Sequence, residues 1–153
     1  MPTKFQFITE LYDQTVRSVT SSYKSWTGFL RAACYNYKCP FDEPILIYAQ
    51  RPDATAVLEI ERWNRQFGRW VNRGANGIAV FDGEHNGKPR LKYYFDISDT
   101  HEARFPRPVP LWTVREEYAP DIIETLENSF GELERKEDLG EALLSAAKNA
   151  VAD

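Results

Sequence analysis

Soft metal-ligating side chains are scarce: the 153 residues hold two cysteines, two histidines and one methionine. Cys34 and Cys39 lack the CxxC spacing, have no histidine beside them and have no second pair to complete a four-ligand zinc site. Both thiols therefore read as reduced, and neither a disulfide framework nor a metal centre is expected. His85 and His101 stand apart, and the chain contains no H-E-x-x-H motif. No stretch approaches the ~20 apolar residues of a membrane span. Met1 to Thr9 lacks the basic start and apolar run of a signal peptide. A cytoplasmic protein with no membrane partner is the expectation. Gly74-x-x-Gly77 is too short and wrongly flanked to cradle a nucleotide phosphate, so no cofactor is expected. There is no internal repeat.

What is present is ordinary in bulk and uneven in placement. Apolar residues make up 42% and charged residues 27%, which argues against disorder and for a core large enough to stand without staples. Aromatics reach 14%. The net charge of −4 opposes an anionic partner only until its distribution is read. Residues 1–115 carry 16 Lys/Arg against 12 Asp/Glu, whereas 116–153 carry 3 against 11. A mildly basic body, 1–115, is thus followed by an acidic segment, 116–153, that reads as helical and as a link to further domains of the same polypeptide.

Along the chain, Ile8, Leu11, Tyr12 and Val16 recur at helical spacing, and Tyr23, Trp26, Leu30, Ala33 and Tyr37 do so after the cap signal Ser21-Ser22, with Pro40 closing the second helix. A short helix is predicted with Asp42 or Glu43 at its cap and Pro44 in its first turn, ending before Arg51-Pro52. Another is predicted over roughly 55–67, with Ala56, Ile60, Trp63 and Phe67 on one face. From Gly68 the period drops to two. Strands are predicted at about 69–73, 78–81 and 91–97, with turns at Gly74–Gly77, Asp82-Gly83 and Asn86-Gly87. Trp70 is placed inward with Arg69 and Arg73 opposite it; Leu91, Tyr93 and Phe95 are placed inward with Arg90, Lys92 and Tyr94 opposite them. Pro106, Pro108 and Pro110 make 101–112 an extended connector. Pro120 opens a helix that Gly131 ends, and an alanine-rich helix covers Glu137 to Val151. The fold class is α+β, a small antiparallel sheet flanked by helices.

The window 62–92 concentrates seven basic residues against two acidic ones, interleaved with Trp63, Phe67 and Trp70. Arginine meets phosphate with a planar fork of donors, and an aromatic ring offers an unpaired base a stacking face. The same letters also fit a Trp-rich core beside a solvated charged edge. Arg69 and Arg73 are the leading phosphate contacts, with Arg65 beside them, Arg51 fixed by the turn at Pro52, and Lys88 and Arg90 at the periphery. Trp70 is the stacking candidate, and Lys92 with Tyr94 a contact on the strand face. Trp63, on the apolar side of its helix, reads as core.

Four blocks match a known family in order: Asn36-Tyr37 with Ile45–Pro52; Ala54–Val57 leading to Trp63; Gly68–Val80; and Tyr94–Thr100. Over roughly residues 7–115 the chain resembles the N-terminal single-stranded-DNA-binding domain of ArdC-type antirestriction proteins, a domain also found at the front of conjugative-element primases and large helicase/methylase-like proteins. The resemblance implies sequence-nonspecific binding of single-stranded DNA by the front module of a larger protein of a plasmid or conjugative transposon. The chain departs from the family at the turn, where Asn72 and Ala75-Asn76 replace lysine and glutamate and lower the positive field. In complete antirestriction proteins a zinc-metalloprotease-like domain with H-E-x-x-H follows, and that motif does not occur in these 153 residues.

Two other classes remain open on the residues. A protein-interaction module would use the acidic segment and exposed aromatics, and that segment could also fold over the basic face as a competitor. A metal-dependent nuclease would use Asp82, Asp96 and Asp99, but carboxylates at turns and strand ends usually cap or face water, and no enzyme is expected. Cys34 reads as an apolar filler rather than a nucleophile.

Overall fold

The computed structural model describes residues 1–134 and 136–152, so the expected end of the acidic segment at Asp153 lies outside the described residues. The chain divides into two units, Met1–Trp112 and Thr113–Asp153.

In the first unit, helix α1 (Lys4–Val19) starts where the Thr3 hydroxyl accepts from the Gln6 amide and the Gln6 side chain accepts from the Thr3 amide. Its Ile8, Leu11, Tyr12 and Val16 lie on the core. Helix α2 (Tyr23–Ala33) begins at Ser22, whose hydroxyl accepts from the Ser25 amide. It buries Phe29, which the predicted stripe omits; Tyr23, Leu30 and Tyr37 face out. The helix also ends earlier than Pro40, passing into a 3₁₀ turn at Cys34–Asn36. Helix α3 (Asp42–Gln50) is buried from Glu43 to Ile47, as its near-continuous apolar run requires.

The helix predicted from 55 starts only at Ile60. The Asp96 carboxylate takes the Thr55 and Ala56 amides, and β1 (Val57–Leu58) pairs with Phe95 and Asp96, so tertiary partners override the local spacing. Helix α4 (Ile60–Arg62) runs into a π-helical turn, Trp63–Phe67. Trp63 is fully buried, its Nε1 donating to the Phe95 carbonyl (2.8 Å).

Among the described residues, five strands form two antiparallel sheets. In the larger, β1 and β3 (Ile78–His85) flank β4 (Lys88–Asp96). Asn86 and Gly87 both take positive φ, 52° and 72°, the mark of a type I′ connection; Asp82-Gly83 is not a turn but lies at the register shift inside β3. At the sheet edge the Gln50 amide both donates to the Ala79 carbonyl and accepts from the Ala79 N–H. It thereby satisfies backbone groups that an edge strand otherwise leaves open.

Strand β2 (Arg69–Val71) does not form a hairpin with β3. It pairs with β5 (Thr100–Glu102) in a separate ribbon, because Asp96 caps a 3₁₀ turn at Ile97–Asp99 that redirects the chain out of β4. In the second unit, α5 (Ala119–Phe130) and α6 (Leu139–Ala152) pack Ile123 and Leu126 around Leu133, Ala142 and Ala146.

Candidate nucleic-acid interface

On the β2/β5 ribbon the predicted alternation holds but its sense is reversed. Trp70, opposite His101, is 53% exposed, and His101 Nδ1 lies 2.7 Å from Asn72 Oδ1 on the same outer face. Arg69 turns inward. Its Nε donates to the Thr100 hydroxyl (2.8 Å), its Nη2 to the Thr100 carbonyl, and its Nη1 lies 3.5 Å from Glu102. Buried Thr100 offers two acceptors that the planar guanidinium fork can reach together, whereas an indole, with its single N–H, could satisfy only one. Arg69 is a clamp between the two strands.

Two more predicted contacts are engaged inside the fold. Arg51 donates to Asp99 (2.5 Å) and Ser98 (2.8 Å) and lies near Asp53. Lys92 and Tyr94 turn toward α3, where the buried Glu43 carboxylate takes the Lys92 ammonium (2.7 Å) and the Tyr94 hydroxyl (2.8 Å). Burial pulls the Lys92 pKa down, but Glu43 and Tyr94 together outweigh it and the net shift is upward. Burial, then Glu43, pushes the Tyr94 phenol up to about 12. The same two causes take the Cys39 thiol up to about 11, which leaves little thiolate at neutral pH.

Arg65, Arg73, Lys88 and Arg90 are exposed, but they are not gathered at one place. Lys88 and Arg90 belong to the tip of the β3/β4 hairpin. Arg90 is four residues from Tyr94 at the hairpin base, about 13 Å along the strand. Arg65 and Arg73 flank the ribbon, on the π turn before β2 and just after it.

The sequence reading missed what joins them. The Ala103 amide donates to the Gly68 carbonyl and the Arg107 amide to the Phe67 carbonyl, so the proline-rich connector lies against the start of β2. Arg104, Phe105 and Arg107 emerge there, with Phe105 77% exposed and the Arg104 guanidinium 5.4 Å from its ring centre. The signal was visible as two arginines around Phe105 in a segment unable to form helix. Among the described residues, Arg65, Arg73, Arg104 and Arg107 have no carboxylate partner.

Gly68 makes this approach feasible. Its φ is +60°, and a Cβ there would sit 2.3 Å from the Phe105 carbonyl oxygen. Gly68→Ala is expected to cost more than the ~1 kcal/mol of a left-handed alanine, because the connector must also move. Urea denaturation measures the loss. Faster tryptic cleavage after Arg104 would report the freed connector, Arg107 being shielded by the proline that follows it.

Of the carboxylates considered for a metal, Asp82 is exposed at the register shift in β3, and Asp96 and Asp99 are occupied otherwise. Asp96 accepts from the Thr55, Ala56 and Ser98 amides and the Ser98 hydroxyl, and Asp99 holds Arg51. Among the described residues no group of three His, Cys, Asp or Glu side chains could hold a metal ion, and no helix is long and apolar enough to cross a membrane.

The first unit also holds a cleft of about 550 Å³ between the turn at Tyr35–Pro40, the edge at Thr55–Leu58 and the end of the connector at Val109–Trp112. Comparison with known protein families, curated proteins and solved structures finds no match.

Proposed function

We propose that the first unit binds single-stranded DNA without sequence preference, as the front module of a larger mobile-element protein. The observation that carries this reading is an exposed indole, Trp70, on a ribbon whose surrounding arginines, Arg65, Arg73, Arg104 and Arg107, have no carboxylate partner among the described residues. Unpaired cations follow a flexible polyanion, and a free ring receives its bases. The resemblance over residues 7–115 supports DNA as the polymer. Arg51, Arg69, Lys92 and Tyr94 contribute by holding the scaffold, while Lys88 and Arg90 stand at the hairpin tip, away from the ribbon.

Fluorescence anisotropy with labelled oligonucleotides tests the reading. Binding is expected to favour single over double strands, and the logarithm of affinity to fall linearly with the logarithm of salt, with a slope of about −3 for four phosphate contacts at roughly 0.7 each. Equal affinity for duplex, or affinity indifferent to salt, overturns it.

A second reading rests on the other unit. Its surplus of acidic residues, with Phe130 and Leu143 exposed, suits capture of a basic protein. Deleting 113–153 would then abolish partner capture and leave DNA affinity intact or raised.

A further inference from the structure

The cleft combines three features that the ribbon does not explain. Aromatic rings bound it: Tyr35 and Trp112 meet nearly perpendicularly, with centroids 6.2 Å apart and planes at 84°. In that arrangement at least one ring keeps its faces clear of the other. Asn36 lines the cleft at 6% exposure, and among the described residues its side-chain amide has no hydrogen-bond partner. Among the described residues the buried side-chain polar atom without a partner is Asn64 Oδ1; the Asn36 amide is instead open to the cleft, where water or a ligand completes it. Finally, Lys38 and Arg62 stand exposed on the cleft lining with no ion pair among the described residues.

Charge decides what fits. Glu43, also on the lining, is already balanced by Lys92 and Tyr94, so the interior favours neither a free anion nor a free cation. A neutral, flat, hydrogen-bonding group suits it, with its anionic part left outside beside Lys38 and Arg62. An amide offers one donor and one acceptor side by side, the pattern presented by a nucleobase edge. The volume lies within the range of small-molecule sites.

We infer that this cleft takes a single unstacked nucleobase, slotted against the Tyr35 and Trp112 rings and read at its edge by the Asn36 amide, with its phosphate at Lys38 and Arg62. The assignment rests on the reading of the first unit as a single-strand binder and adds a place where one base is held individually. The connector links the two regions directly. Phe105 and Trp112 stand on the same extended segment, seven residues and at most about 25 Å apart, so one strand stacked at the ribbon can continue into the cleft.

The test uses the full chain and two probes. Each of the four deoxynucleoside monophosphates is titrated against tryptophan fluorescence, with the Trp112→Phe variant assigning the signal; nucleosides and inorganic phosphate are run as competitors. Labelled homopolymeric oligonucleotides are followed by anisotropy in parallel. Mononucleotides are expected to change Trp112 emission, nucleosides to compete and inorganic phosphate alone not to. Asn36→Leu, close in shape, should weaken mononucleotide binding roughly ten- to hundredfold and level the ranking of homopolymers. Trp112→Ala, at an exposed position, should weaken it similarly. Lys88→Ala with Arg90→Ala, at the hairpin tip, should leave mononucleotide binding unchanged.

If oligonucleotides bind but mononucleotides do not, and neither cleft variant alters the homopolymer ranking, the cleft assignment is overturned while the ribbon reading stands. If mononucleotides bind but oligonucleotides bind no better, the ribbon reading fails and the cleft remains a nucleotide site. Competition by inorganic phosphate equal to that by nucleotides would overturn base recognition.

Discussion

Replacing Asp96 by alanine is expected to destabilise the first unit by about 3–5 kcal/mol, measured as a fall in the urea midpoint. The side chain is nearly fully buried and accepts four hydrogen bonds, from the Thr55, Ala56 and Ser98 amides and the Ser98 hydroxyl. Removing it takes the acceptor from the half-buried Thr55 and Ala56 amides and from Ser98 and leaves Arg51, 3.9 Å away, with one charge fewer; losses of this size accompany the breaking of a network around a buried charge. Asp96→Asn keeps the shape and one acceptor but turns an N–H₂ toward donors, so a smaller loss is expected.

The pH dependence gives a second check. Burial by itself raises the Asp96 carboxyl pKa, but the Ser98 hydroxyl and the three amides outweigh it and hold the group below its ordinary value of 3.8. A carboxylate depressed on folding contributes stability that is fully present above its unfolded pKa and lost as pH falls through the folded one. The gap between wild type and Asp96→Ala should therefore be constant above about pH 5 and narrow below about pH 4. A gap that does not change with pH would mean that the ionised form contributes nothing.

Asp96 also shows which parts of the fold were legible in the sequence. Local chemistry was read well: the cap at Ser22, the Pro120 start and Gly131 stop of α5, the Asn86-Gly87 connection and the core role of Trp63 all follow from neighbours within a few residues. The α+β class follows from the change of period at Gly68. What failed depended on partners far along the chain. Residues 55–58 carry helical spacing, but a carboxylate about 40 residues later takes their amides. Alternation put Trp70 and Arg69 on opposite faces without saying which faced in; buried Thr100, thirty residues on, decides that. Lys92 and Tyr94 read as a free basic row because Glu43, about fifty residues earlier, carries no mark of burial in its own segment. The cleft left no signal, since its walls come from five separated stretches.

The same distances explain why the candidate interface moved rather than vanished. Each cation with a long-range acid or acceptor beside it, Arg51, Arg69 and Lys92, became part of the scaffold, and those without one remained at the surface. Arg104 and Arg107 joined the ribbon because the connector is hydrogen-bonded to the start of β2, a contact that depends on the missing side chain of Gly68.

That division predicts how affinity should separate into two parts. Arg65→Ala, Arg73→Ala, Arg104→Ala and Arg107→Ala should each lower the salt slope by about 0.7, because one phosphate contact releases one set of counterions. All four together should remove most of the slope. Trp70→Ala should instead weaken binding by ~1–3 kcal/mol at every salt concentration and leave the slope unchanged, since stacking releases no counterions. Lys88→Ala with Arg90→Ala serves as the spatial control: about 13 Å of strand separates Arg90 from the hairpin base, and the pair should alter neither quantity. Arg69→Ala should act through the ribbon's stability, lowering the melting temperature along with affinity. If the hairpin-tip pair carries the salt dependence and the four arginines do not, the strand follows β3 and β4 rather than the ribbon. In that case Trp70→Ala would leave affinity unchanged, because an exposed ring off the DNA path has nothing to stack on it.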